Sequence, residues 1–387
     1  MAVSTVDEIS VRSGGRYGQA VPRDRNGRPL ATDLATTRAV GYWLLCVAGL
    51  VFAMAIIGAI TRLTESGLSM VEWRPLLGTF PPVSQAEWQR IFELYRQIPE
   101  YQQINRGMSL DEFKTIFWWE YIHRVFGRLI GIAYAVPLVW FLVRGAVRRA
   151  FIPRLILLLC LGGAQGVLGW IMVQSGFADR VDVSQYKLTA HLTLALAIFA
   201  LLVWTALDVL NPQHVRHGEA QPIHRRLYTS ALMLLGLVFV TIVSGGFVAG
   251  LNAGLVYNEW PLMGGSFVPN DYWGVGSPTL NAFENHTAVQ FHHRWIAAAT
   301  ALCILMFAIW IWRSNLSGTH RAVAAGLASA VSFQFVLGIA TLLSQVPVGL
   351  GALHQGGAIT VLGLVVAAAH ALRREIRPPN PSVPSNT

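Results

Sequence analysis

Eight stretches of this chain are apolar enough and long enough to cross roughly 30 Å of hydrocarbon, and no other feature constrains the fold as hard. They fall at about 40–61, 116–143, 152–174, 187–209, 226–249, 289–312, 322–344 and 350–372. Inside lipid every backbone amide must find its partner within its own segment, so helices are expected throughout. With 53% hydrophobic and only 13% charged residues, the chain is too apolar for a water-soluble domain. The expected fold class is an all-α polytopic membrane protein with eight transmembrane helices.

The basic residues set the expected orientation. Six arginines between Arg12 and Arg38, four between Arg144 and Arg154, and eight between Arg216 and Arg377 share one side, 18 of the 29 Lys+Arg. The positive-inside rule makes that side cytoplasmic, with both termini there. The loops at 63–115 and 250–288 then lie outside; the first is mixed in sign, with five basic and seven acidic residues. Topology accounts for the net charge of +9, and no nucleic-acid partner is expected. Residues 1–38 form a cytoplasmic tail without an apolar h-region, so no cleaved signal peptide is expected. Their arginines raise a mitochondrial transit peptide as an alternative, against which Asp7, Glu8, Asp24 and Asp33 argue. The tail at 373–387, with "RPPNPSVPSNT", is expected to be disordered. Cys46, Cys160 and Cys303 all fall within spans, which leaves packing as their expected role.

The chain also repeats itself. "GLSMVEW" (Gly67–Trp73) matches "GLVYNEW" (Gly254–Trp260) at an offset of 187, which also pairs Gly58 with Gly245. "EYIHR" (Glu120–Arg124) matches "QFHHR" (Gln290–Arg294) at 170, and "QGVLG" (Gln165–Gly169) matches "QFVLG" (Gln334–Gly338) at 169. His191 corresponds to His354 at 163. The matches keep their order while the offset shrinks, as loop-length differences would produce. Two tandem pseudo-symmetric four-helix bundles are therefore expected, at 39–210 and 226–372, joined by a cytoplasmic linker at 211–225. Within the first loop, "SQAE" (Ser84–Glu87) and "SLDE" (Ser109–Glu112) fit the capping box and imply one or two short interfacial helices.

Four of the eleven histidines stand out. His123, His191, His293 and His354 lie in the early turns of the second, fourth, sixth and eighth spans, two per repeat and at similar depth near the outer face. His214, His217, His224 and His320 are assigned to cytoplasmic loops, His286 and His292 to the start of the sixth span, and His370 to a cytoplasmic exit. A solvated or interfacial side chain is the simpler reading for those seven. For the four, a compact zinc or copper site would want further nearby ligands, and neither repeat offers Cys or Asp to complete one. Two imidazoles on opposing helices instead suit the two axial positions of a haem. Pairing within each half is expected, with pairing across the halves left open. Arg124, Arg128 and Arg294 follow ligand candidates and suit haem propionates, with snorkelling to the headgroups as an equal competitor. Glu120 lies one helical turn before His123, where the second repeat has Gln290. A carboxylate can take a proton or stabilise a developing cation; an amide cannot do the first. The difference favours chemistry in the N-terminal half and a permanent haem in the C-terminal half, the alternative for Glu120 being an exposed helix cap.

These residues resemble the heme A synthase family. The likeness covers about residues 40–372 and rests on "ITRLTESGLSMVEWRPLLGTFPP", "NRGMSLDEFKTIFWWEYIHRVFGRLIG", "QGVLGWIMVQSG", "VSGGFVAGLNAGLVYNEWPLM", "FHHRWIA" and "LHQGGA". The long first outer loop is similar to the proteobacterial and mitochondrial branch; the cysteine pairs of another branch are missing. The resemblance implies a haem-dependent membrane oxidoreductase that converts the methyl group of haem O to the formyl group of haem A, through an alcohol, for terminal oxidases. It places the haem b ligands on His293 and His354, the substrate-side histidines on His123 and His191, and the catalytic carboxylate on Glu120. The implied location is the bacterial inner membrane, with the mitochondrial inner membrane as alternative. Haem O and membrane lipid are the implied partners. The electron donor, any contact with haem O synthase or oxidase assembly factors, and homo-oligomerisation stay open. A two-haem b-type electron-transfer cytochrome competes with this reading, as does a transporter, although transporter sites usually lie at the midplane.

Overall fold

The computed structural model describes residues 34–72, 80–177, 181–211, 222–314, 316 and 318–373. The N-terminal tail, the linker histidines His214 and His217, Trp73 of the first repeat, and the Pro-rich tail lie outside the described residues.

Eleven α-helices are described: α1 (Leu34–Leu63), α2 (Gln85–Tyr95), α3 (Pro99–Gln103), α4 (Leu110–Val143), α5 (Ile152–Gln174) and α6 (Gln185–Leu210), then α7 (Pro222–Gly250), α8 (Pro278–Glu284), α9 (His286–Arg313), α10 (Gly318–Leu343) and α11 (Val348–Arg373). Eight of them, α1, α4, α5, α6, α7, α9, α10 and α11, are long and apolar enough to cross a bilayer. No strand occurs among the described residues; Met263 and Ser266 form an isolated bridge. The protein is an all-helical, multi-pass membrane protein, as its hydropathy implies.

Several helices begin earlier than their apolar runs. The second span is expected from 116, yet α4 starts at Leu110, because Ser109 and Glu112 form a complete capping box. Polar residues thus extend the helix a turn and a half beyond the hydrocarbon. Ser84 caps α2 by accepting from Glu87 N, while the Glu87 carboxylate pairs with Arg90. The first long loop therefore holds two short helices, as expected, and α8 adds one in the second. Tyr95 and Phe113, fully buried, knit α2, α3 and the start of α4 into an aromatic cluster with Phe92, Tyr101 and Phe117.

α1 packs on α4 and α6, and α5 packs on α6; α7 packs on α9 and α11, with α10 against both α9 and α11. The two groups meet where α6 and α1 lie against α7 and α11. Small residues allow that approach: a Cβ on Gly250 would come within 2.8 Å of the Gln185 backbone, and one on Gly246 within 3.0 Å of Thr189 Oγ1. At the end remote from the long loops, Asp208 of α6 accepts from Arg154 at 2.7 Å and meets His370 at 3.0 Å, joining α5, α6 and α11. His370 is accordingly buried, and so is His320, which sits with His224 in the first turns of α10 and α7 instead of in loops. His320 and His370 depart from the solvated reading, His370 because Asp208 draws it inward, whereas His224 is half-buried.

Candidate functional site: two imidazole pairs and one carboxylate

All four singled-out histidines lie on the half of the molecule that carries the long loops, and each projects against a glycine of a neighbouring helix. A Cβ at Gly58 of α1 would meet His123 Nε2 at 3.3 Å; at Gly169 of α5, His191 Cε1 at 2.9 Å. A Cβ at Gly245 of α7 would meet His293 Cε1 at 3.0 Å, and at Gly338 of α10, His354 Cε1 at 2.7 Å. Gly58 and Gly245, like Gly169 and Gly338, are partners in the sequence repeat. The glycines are thus explained by their neighbours: any side chain there would push an imidazole off its position.

His293 of α9 and His354 of α11 face each other, with ring centroids 6.5 Å apart and planes at 89°. Imidazole nitrogen binds a metal at about 2.0 Å, and the ring centre lies roughly 1.1 Å further, so rings on two sides of one ion stand ~6.3 Å apart. The observed separation fits a shared ion at the centre of a flat macrocycle. The tautomer fits too. Ser244 Oγ donates to Thr241 O at 2.7 Å, so its lone pairs accept from His293 Nδ1, 2.9 Å away, and Nε2 keeps its lone pair for a metal. Gln334 donates to the His354 carbonyl at 2.9 Å, and the repeat partner Gln165 donates to the His191 carbonyl at 3.0 Å. His123 of α4 and His191 of α6 lie close enough to interact electrostatically. His191 Nδ1 is buried and unpartnered among the described residues. No cluster of three or more His, Cys, Asp or Glu that could hold a metal exists among the described residues. Only two-point ligation is offered, which suits a ring that brings its own in-plane donors.

Glu120 is 2% exposed, ten residues inside α4, so it is neither a cap nor within reach of the helix N-terminus. Four donors saturate it. Oε2 accepts from Ser69 Oγ and from Met70 N, each at 2.7 Å. Oε1 accepts from Arg124 Nε at 3.0 Å and from Arg124 Nη2. Gln290 occupies the matching place and divides its amide: Nε2 donates to Tyr257 O at 3.0 Å and Oε1 accepts from Arg294 Nη2 at 3.2 Å.

The arginines have a task their spacing did not disclose. Arg124 Nη2 donates to Met70 O at 3.0 Å; Arg294 donates to Tyr257 O at 2.7 Å and to Glu259 O at 2.8 Å. Met70 and Tyr257 are repeat partners at the offset of 187. Each arginine ties a long loop to the helix beneath it. Arg128 differs: its Nη1 is buried without a partner among the described residues, a cation suited to an anionic group of a ligand. Ser69, Ser244 and Gln334 are site residues that hydropathy and motif spacing passed over. The repeat held a signal for Gln334, since "QGVLG" and "QFVLG" keep that glutamine.

An eight-span helical protein with duplicated, glycine-seated imidazole pairs has the ligand arrangement of membrane proteins that hold porphyrins between helices. The family model described as "Cytochrome oxidase assembly protein" matches residues 41–366. A "Heme A synthase" of Rhodospirillum centenum is 54% identical over 339 residues, 88% of this chain and 90% of that protein. One of Parvibaculum lavamentivorans is 49% identical over 88% of this chain and 96% of its own, and one of Granulibacter bethesdensis 43% over 97% and 96%. The chain belongs to this family of cytochrome oxidase assembly proteins, among relatives named heme A synthase.

Proposed function

We propose that the protein is a heme A synthase, an oxidoreductase that converts the methyl group of haem O to the formyl group of haem A through a hydroxymethyl intermediate. The observation that carries the reading is the repeated imidazole pair with a buried carboxylate beside only one of its copies. The electron-transfer cytochrome is disfavoured by that difference and by the relatives' names.

The residues divide into two halves, 39–210 and 226–372. In the C-terminal half, His293 and His354 would hold a resident haem b, whose iron supplies one-electron redox chemistry when bound. Ser244 fixes the His293 tautomer and Gln334 steadies α11 behind His354. In the N-terminal half, His123 and His191 would receive haem O, with Arg128 placed for a propionate. Glu120, held in place by four donors, offers a carboxylate to cationic character developing at the substrate. Arg124 and Arg294 hold the loops over the two sites.

Substrate exchange in the N-terminal half is supported by looser packing. α9 and α10 pack closely, whereas the corresponding α4 and α5 make sparse contact. Gly131, Gly162, Gly163 and Gly166 have open space beyond a Cβ, where the second repeat places Ala301, Val331, Ser332 and Phe335. Phe335 fills its position against Trp260, ring centres 5.8 Å apart. The protein would lie in the bacterial inner membrane with both termini in the cytoplasm, so that the long loops and both sites face outward. Purification from cells making haem O, followed by acid extraction of pigments, tests the proposal. Haem b together with haem O, its alcohol or haem A is expected; haem b alone would identify an electron carrier instead.

A further inference from the structure

Glu100 is the second buried carboxyl near the N-terminal site, and nothing above uses it. It lies in α3, over the long-loop end of the bundle, and is 4% exposed. Its Oε2 is buried and has no hydrogen-bond partner among the described residues. The contrast with Glu120 is complete: one carboxyl meets four donors, the other meets none at Oε2.

Charged groups outside α3 act on Glu100. Glu120 of α4 exerts the largest effect, followed by Glu65 beyond α1 and Asp182 before α6, with Arg62 of α1 opposing them. Tyr95 of α2 feels Glu100, Glu65 and Glu120 together, and its hydroxyl accepts from the Asn105 amide at 2.8 Å. Arg62 is committed elsewhere: it donates to Ala249 O at 3.1 Å and Asn252 Oδ1 at 3.0 Å, and lies 3.6 Å from Asp182. Burial, and then the Glu120 charge, push Glu100 up to about 8. Glu65 is exposed and the Asp182 side chain 39% exposed, so the carboxyls grade from water, through Glu100, to the Glu120 end of the site.

The two buried carboxyls sit in unlike surroundings. Here the donors sit on one and the desolvation on the other. Resting on the function proposed above, we propose that Glu100 is the proton-holding acid of the N-terminal site, exchanging protons between the outer aqueous face and the Glu120 end. Each oxidation stage breaks a C–H bond on the substrate methyl carbon, so a proton must leave the site for water. In the transfer a proton arriving from the site forms an O–H bond at the unpartnered Glu100 Oε2 as the O–H bond on its other oxygen breaks and that proton passes to outer water, which leaves Glu100 protonated as it began. Glu100 acts through the site and does not touch the substrate, which makes it a proton-relaying residue.

Two measurements on the purified full-length protein test this. Infrared difference spectra should show a protonated-carboxyl carbonyl band at neutral pH that disappears as pH rises through about 8 and is missing in Glu100→Gln. This readout needs no turnover, so it stands even where the proposed function fails. In haem O conversion assays, Glu100→Gln should keep wild-type thermal stability and haem b content yet slow formyl formation on the order of 100-fold. Glu100→Asp should recover part of the rate with a displaced pH profile. A missing band in the wild type would overturn the protonated state. A Glu100→Gln protein with the wild-type rate and pH profile would overturn the proton relay. Wild-type protein that binds haem O without making product, while keeping the band, would count against the synthase reading and against any relay role, leaving only a buried neutral acid.

Discussion

At the scale of single residues, the two halves differ most at Glu120 and Gln290, and hydrogen bonding explains why neither can take the other's place. All four partners of Glu120 donate to it, and an amide nitrogen there would face the Met70 N–H or the Arg124 guanidinium, neither of which can accept. Gln290 faces a carbonyl, Tyr257 O, which a carboxylate would repel. Glu120→Gln is therefore expected to lower stability by about 2 kcal/mol, the scale of a lost hydrogen bond to a charged group. Formyl formation should nearly cease while haem O still binds at His123 and His191. Thermal unfolding and pigment extraction of the same preparation check both parts; a fully active variant would remove Glu120 from the chemistry. The histidines and Glu120 were legible in the sequence because residues that are costly in hydrocarbon stand at matching places in a repeat. The donors that saturate Glu120 were not, since Ser69 and Met70 lie about fifty residues away and reach it only through the fold.

Among the elements, α4 shows how capping sets where a membrane helix begins. Its apolar run starts near 116, but the reciprocal bonds of Ser109 and Glu112 carry the helix back to Leu110. That added turn brings Phe113 against Tyr95 and Phe92, ring centres 5.1 and 5.0 Å away, and so seats α2 and α3 over the site. Ser109→Ala removes the cap and is expected to destabilise this cluster by about 1 kcal/mol. Because the cluster lies apart from His293 and His354, haem b content should not change; limited proteolysis of the first long loop, faster in the variant, reads the local loosening. The "SLDE" pattern announced this cap, whereas hydropathy alone placed the boundary late, as it must when a span continues into polar surroundings. Helix contacts such as α6 on α7 carry no motif at all. They depend on where Gly246 and Gly250 leave room beside Thr189 and Gln185, which only the fold reveals.

For the molecule as a whole, the question is whether the imidazole pairs work as separate sites. Each pair sits within one half, each ring is seated on its own glycine, and the Ser244 and Gln334 contacts lie on the C-terminal side alone. What joins the halves lies elsewhere: Arg62 reaching Ala249 O and Asn252 near the long-loop face, and Asp208 with His370 at the far end. Losing one pair should then leave the other intact. His293→Ala and His354→Ala should each deplete haem b while the protein still retains haem O; His123→Ala and His191→Ala should do the reverse. Quantifying both pigments per chain in the four variants decides the matter. Equal loss of both haems in every variant would mean that ligands are shared across the halves, and haem b unchanged in both C-terminal variants would remove those histidines as its ligands. Gly245→Val offers an independent route to the first result, because its side chain would displace His293 without removing the imidazole.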